Sequence, residues 1–326
     1  MGKVDKNDEV VELLKTLVEI ESPTGKEEKI KKFVKDFLTD CGYEVVETEY
    51  YLFTKGNPEL VVATHLDTVP VKAHFFTDGV YAYGTGVCDV KAGITAMLLS
   101  AKDGVDYTLA FFCDEEEDGT GSAEFIKNWK GGRYAIVLEP TNLAIASVHY
   151  GSLEVILEIS GKTAHGACPE VGRNAIDMAM EAISKLRSLG LMVNPLKISG
   201  GGDEYVIPEN CTVKFEIFLP PQALSINKVL NTLAFLKDYG KIKVEAVYPS
   251  YTSKKVHEVL EKAIKKTYGF VSYTAMRSWT DALNLSQKLD VVVWGPGELS
   301  LCHTKRECVN LKEIKICWDV LKNLEI

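Results

Sequence analysis

The sequence predicts an α/β chain: a mostly parallel sheet carrying helices, with a second, α+β domain inserted into it. Three observations predict this. Short apolar runs at residues 60–64, 107–113, 134–138 and 291–294 are each bounded by turn signals, the mark of parallel strands covered on both faces. Stretches of helical period separate most of them. Over residues 151–250 the strands instead alternate apolar and polar residues, as half-exposed antiparallel strands do.

Residues 10–20 carry apolar side chains at helical spacing and stop before Ser22-Pro23-Thr24-Gly25. Residues 27–39 predict a second amphipathic helix, closed by Cys41-Gly42. A strand at 43–49 and the 60–64 strand follow, then helices at 91–101 and 122–129. In the insert, 153–160 is a strand and 174–189 a helix with Ile176, Met180, Ile183 and Leu186 along one stripe. Gly200-Gly201-Gly202 is a turn, 212–219 a strand stopped by Pro220-Pro221, 225–236 a helix and 241–248 a strand, giving the order β-α-β-α-β. The outer pattern resumes with helix 254–267, the 291–294 strand and helix 311–324. The expected domains are residues 1–150 with 251–326, and residues 151–250. The inserted sheet would have an exposed edge that dimerisation can pair.

A chain of 326 residues supports more than one domain, and 46% hydrophobic with 25% charged residues is ordinary for a soluble protein. The net charge of -9 argues against a general nucleic-acid binder but leaves a cationic or zwitterionic substrate open. No run approaches the roughly 18 apolar residues of a membrane span, and residues 1–12 do not read as a signal peptide. These features predict a cytoplasmic protein. None of the eight cysteines forms a Cys-x-x-Cys pair, so buried reduced thiols are expected, with Cys88 and Cys302 beside the suspected site.

The chemistry gathers at the strand ends. The 60–64 run ends in His65-Leu66-Asp67, the 107–113 run in Asp114-Glu115-Glu116, and the 134–138 run in Glu139-Pro140-Thr141. The 291–294 run leads into Gly295-Pro296-Gly297, with His303 following. Ligands of open α/β sheets gather outside the carboxyl ends of strands. Asp67, Asp89, Glu115, Glu116 and Glu139 cannot all stay ionised in one cleft without compensation, and two divalent cations would supply it. Imidazole with carboxylate suits zinc, cobalt or manganese. Two such ions about 3.5–4 Å apart need a shared ligand, and an aspartate on a short turn makes a good bridge.

These segments, with Tyr83-Gly84-Thr85-Gly86-Val87-Cys88-Asp89-Val90-Lys91-Ala92-Gly93 and His303-Thr304, resemble in order and spacing the co-catalytic zinc metallopeptidase family. That family includes acetylornithine deacetylase, succinyl-diaminopimelate desuccinylase, aminoacylase and glutamate carboxypeptidases. The resemblance covers nearly the whole chain. It implies a zinc-peptidase-like catalytic domain and a ferredoxin-like dimerisation (lid) domain bearing Gly161-Lys162-Thr163-Ala164-His165-Gly166. It also implies two zinc or cobalt ions, one held by His65, Asp89 and Glu139 and the other by Asp89, Glu116 and His303. Asp67 would then orient His65, Glu115 would be the general base, and His165 would reach into the partner subunit's site to stabilise the oxyanion.

The segment 277–284 followed by Trp294-Gly295-Pro296-Gly297 is similar to the branch that releases lysine or ornithine from a small acidic amino-group carrier protein. The resemblance therefore implies hydrolysis of an N-acyl amino acid or of such a carrier conjugate by a homodimer. Arg277, Tyr205 and Asn284 are the candidate substrate contacts. Acetylornithine deacetylase and succinyl-diaminopimelate desuccinylase activities are the neighbouring readings. A dipeptidase, a carboxypeptidase and a non-catalytic binding homologue are the further ones. Three departures bear on the substrate: Phe218 stands where family lids often carry arginine, Tyr205 where they often carry asparagine, and Thr85 replaces the arginine of a Gly-Arg-Gly turn.

Overall fold

The computed structural model describes residues 6–70, 73–221 and 226–325. The chain forms two compact units, Met1–Val148 with Thr252–Ile326, and His149–Tyr251.

In the first unit the four apolar runs become the strands Tyr107–Phe112, Asn57–His65, Tyr134–Val137 and Asp290–Val293, side by side in that order and parallel. Leu60 and Val62 join one large core, while Val61 and Ala63, on the opposite face of the same strand, are equally buried. This is why the run is continuously apolar. Helix Ala92–Lys102 is buried over nearly its whole length, and its sequence accordingly has no polar stripe. The helices Lys6–Glu19, Glu28–Asp40 and Leu311–Leu321 pack against it. Helices Thr120–Asn128 and Asp281–Leu285 pack on each other.

Several short strands were not expected. Tyr51–Thr54 lies antiparallel between Val45–Glu47 and Tyr107–Phe112. Ile145–His149 lies antiparallel to Asp290–Val293. Phe76–Thr77, Tyr81–Tyr83 and Cys308–Asn310 form a separate three-stranded sheet.

The second unit has the order β-α-β-β-α-β, one strand more than predicted. Its antiparallel sheet runs Met192–Gly200, Asn210–Leu219, Gly151–Ser160, Gly240–Tyr248. Met192–Gly200 escaped prediction because it is an edge strand that is mostly exposed, with Pro195 at a register shift. Leu153, Val155, Leu157 and Ile159 point inward from the central strand, opposite Val213, Phe215 and Ile217. Helix Ala175–Ser188 is capped by Asn174, whose side chain accepts from the N–H groups of Ile176 and Asp177. Its buried stripe is Ala175, Met178, Ala179, Ala182 and Leu186, whereas Met180 is 59% exposed. The predicted stripe was rotated because it weighted large side chains, while small alanines line the contact with the sheet. The predicted 225–236 helix is Ile226–Thr232 followed by a 3-10 turn Leu233–Asp238, and Ser225 lies outside the described residues.

Candidate metal centre

The four parallel strands deliver their following residues to one edge. His65 is the last residue of its strand and is fully buried. Asp89 lies in the irregular turn Val87–Lys91, where it and Val90 leave helical geometry and the peptide bond between them is cis. Asp114, at φ 65°, turns the chain out of its strand so that Glu115 and Glu116 follow at the edge. The Asp114 side chain anchors this turn by accepting from the Thr120 hydroxyl, and its N–H donates to Glu27 Oε1 at 3.1 Å. His303 also has a left-handed backbone, at φ 62°, uncommon for a residue with a side chain.

Two donor groups result, His65 with Glu115 and Glu139, and Asp89 with Glu116 and His303. Within each, the nearest donor atoms all lie within 4.8 Å of one another. Asp89 faces both groups. Its Oδ1 is 3.1 Å from His65 Nε2 and its Oδ2 is 3.2 Å from His303 Nε2. His303 Nε2 is also 3.1 Å from Glu116 Oε1. Glu115 Oε2 and Glu139 Oε2 each lie 4.0 Å from His65 Nε2. Glu115 thus stands as close to His65 as Glu139 does.

Asp67 lies behind His65. Its main-chain oxygen is 3.0 Å from His65 Nδ1 and its carboxylate Oδ1 is 3.5 Å away. The carboxylate accepts from the N–H groups of Glu115 and Glu116, at 3.0 Å each, and from the Thr24 hydroxyl at 2.9 Å. Asp67 therefore ties the acidic turn to the histidine as well as contacting the imidazole.

The remaining candidates lie elsewhere. His165 and Tyr205 belong to the second unit, where both are exposed and pack edge to face with ring centroids 5.6 Å apart. Arg277 is exposed on the first unit. Asn284 is buried and its amide nitrogen donates to Gly119 O at 3.1 Å and Ser122 Oγ at 2.9 Å, bonds that brace the loop after the acidic turn. Among the other histidines, His149 is buried and stacks on Tyr251, and burial pushes its pKa down to about 4.

Two acidic residues were missed. Asp281 is fully buried, and among the described residues neither of its carboxylate oxygens has a hydrogen-bond donor. Glu307 is buried under the Asp89 turn. Its only sequence signal was a position four residues after His303; that of Asp281 was its place after the helix-capping Thr280.

The electrostatics show what the cluster lacks. Burial, reinforced by the neighbouring Glu139 and Asp281, raises the Glu115 pKa well above the usual carboxylate range despite His65. Burial and Asp89 do the same to Glu139. Burial lifts Asp281 to about 7. Burial opposes protonation of His65, yet Glu115, Asp67, Asp89 and Glu139 raise its pKa. Hydrogen bonds to Asp89 and Glu116 lift His303 to about 10. Asp89 is buried, but both histidines hold it below its ordinary value. The cluster is short of positive charge, and the buried Glu139 Oε1 has no hydrogen-bond donor among the described residues. Imidazole nitrogens and carboxylate oxygens in two adjoining groups with a shared aspartate fit a pair of divalent cations.

Residues 61–324 match the model of peptidase family M20/M25/M40. A LysW-lysine/LysW-ornithine hydrolase from Sulfurisphaera tokodaii is 26% identical over 94% of this chain and 92% of its own. A tripeptidase from Staphylococcus aureus has the same fold, with a TM-score of 0.85 over 98% of both chains at 19% identity. So does a dinuclear metal-binding M20 peptidase from Bacillus subtilis, with a TM-score of 0.75 over 98% of both chains at 14% identity. A match of that extent, on a chain whose strand ends bring together this donor set, makes the protein a metallohydrolase of peptidase family M20/M25/M40.

Proposed function

We propose that the chain is a dinuclear zinc amidohydrolase that frees an amino acid of the lysine or ornithine type from an N-acylated or carrier-linked precursor. The observation that carries the reading is the placement of Asp89 between His65 and His303, with Glu115 facing the same histidine. His65, Asp89 and Glu139 would hold one cation, and Asp89, Glu116 and His303 the other. Cations bound there supply Lewis acidity toward the scissile carbonyl and make nearby water easier to deprotonate.

The residues of the chain do the rest. Glu115 accepts a proton from the attacking water and returns it to the departing amine nitrogen. Asp67 keeps the His65 ring oriented and holds the Glu115 backbone through an N–H bond. His165 of the partner subunit donates a hydrogen bond to the developing oxyanion in a homodimer. Arg277 pairs with the substrate carboxylate, a geometry its planar fork favours. The resemblance of the 277–284 segment to the carrier-linked branch and the similarity to the Sulfurisphaera enzyme support this substrate class.

A substrate panel tests the reading. Zinc- or cobalt-supplemented protein is expected to turn over carrier-linked lysine or ornithine faster than acetyl-ornithine, succinyl-diaminopimelate or unblocked di- and tripeptides. Preference for the unblocked peptides would replace it with a peptidase. Tightly bound metal with no hydrolysis of any of them would replace it with a binding protein.

A further inference from the structure

Glu307 is 2% exposed and sits four residues after His303. Its carboxylate accepts three main-chain N–H bonds from one turn. Gly86 N donates to Oε2 at 3.1 Å, while Cys88 N and Asp89 N donate to Oε1 at 2.8 and 3.0 Å. Gly84 N also donates to the Glu307 carbonyl at 3.4 Å. N–H groups of one turn converging in this way hold an anion as a backbone nest does. The carboxylate is an acceptor only, so it can satisfy all three at once. The turn it holds presents Asp89, whose two oxygens face His65 and His303.

One short segment therefore does two things. It brings His303 to one oxygen of Asp89, and through Glu307 it pins the backbone from which Asp89 projects. We infer that Glu307 is a positioning residue that keeps Asp89 shared between the two donor groups, so that two cations load as a coupled pair. The inference rests on the two-cation reading above.

Cobalt(II) titration of metal-free protein, followed by calorimetry and by the visible absorption of bound cobalt, tests it. The wild type is expected to take two equivalents. Glu307→Ala should weaken the second by about tenfold or more, as loss of a residue supporting a metal ligand does, and should change the cobalt spectrum. Glu307→Gln retains one oxygen but turns an NH2 group toward a donor, so it should fall between the two. A purely structural role would lower the thermal midpoint of the metal-free variants while leaving both affinities and the spectrum unchanged, and that result overturns the inference. If Glu307→Ala does not fold, Glu307→Gln decides: two equivalents at wild-type affinity overturn it. A wild type that takes fewer than two equivalents overturns the two-cation reading itself, whereas failure in the variants alone sinks only the role of Glu307.

Discussion

Glu115 and its neighbour Glu116 differ in surroundings although they are adjacent in sequence. Glu115 faces the buried His65, whereas Glu116 meets the half-exposed His303, although both glutamate side chains are themselves largely buried. Glu115→Gln keeps the shape and removes the base, so it is expected to retain bound metal and lose about 10²–10⁴-fold in kcat. Metal analysis beside steady-state kinetics checks this, and near-normal turnover would remove Glu115 from the mechanism. The titrating groups also predict a pH dependence for the metal-free protein. His303 has a folded pKa near 10, so its stabilisation is full below the ordinary histidine value of about 6.5 and is lost as pH rises through 10. Glu115 and Glu139, raised by burial, likewise stabilise the fold while protonated and lose that contribution as they ionise. Asp89 acts oppositely, but only in strong acid. The thermal midpoint in chelator should therefore fall between pH 6 and pH 10, with a shallower upper portion in His303→Ala; a rising midpoint would contradict the charge assignment. At this scale His65, Asp67, Glu115, Glu116 and Glu139 were legible because each lies within three residues of the end of an apolar run. Asp281 and Glu307 were not, since a lone carboxylate in ordinary sequence acquires its role only from neighbours far away in the chain.

Strands and turns set where these groups sit. Gly119 closes the acidic turn at φ 64°, and a β-carbon there would meet the Trp279 ring. Gly119→Ala combines left-handed strain with overpacking, an expected loss of about 1–3 kcal/mol. Urea unfolding measures it, and an unchanged midpoint would show that the turn is free to adjust. The four parallel strands were legible because both faces are covered, leaving uninterrupted apolar runs. Tyr51–Thr54 and Ile145–His149 were not, being short and set by pairing with distant partners. Met192–Gly200 was hidden for the opposite reason, since little of it is buried.

For the whole molecule, the second unit is entered and left by neighbouring strands, with Ser152 opposite Tyr248. It carries His165 and Tyr205, while the donor groups all belong to the first unit. If His165 of the partner subunit completes the site, His165→Ala should lower kcat with little change in bound metal. Mixing it with Glu115→Gln should then recover part of the activity, because a mixed dimer contains one intact pairing; no recovery would place the whole reaction within one subunit. Among the described residues no helix is long and apolar enough to cross a membrane.

The placement of His303 has a consequence for biosynthesis. The other donors come from residues 65 to 139, and the second unit is threaded between them and His303. A ribosome that has released everything through the second unit has therefore produced an acidic cleft with one wall missing. Cation capture by the full donor set must await the synthesis of His303, so a nascent chain stalled before residue 303 should hold metal poorly even when its inserted unit is already folded.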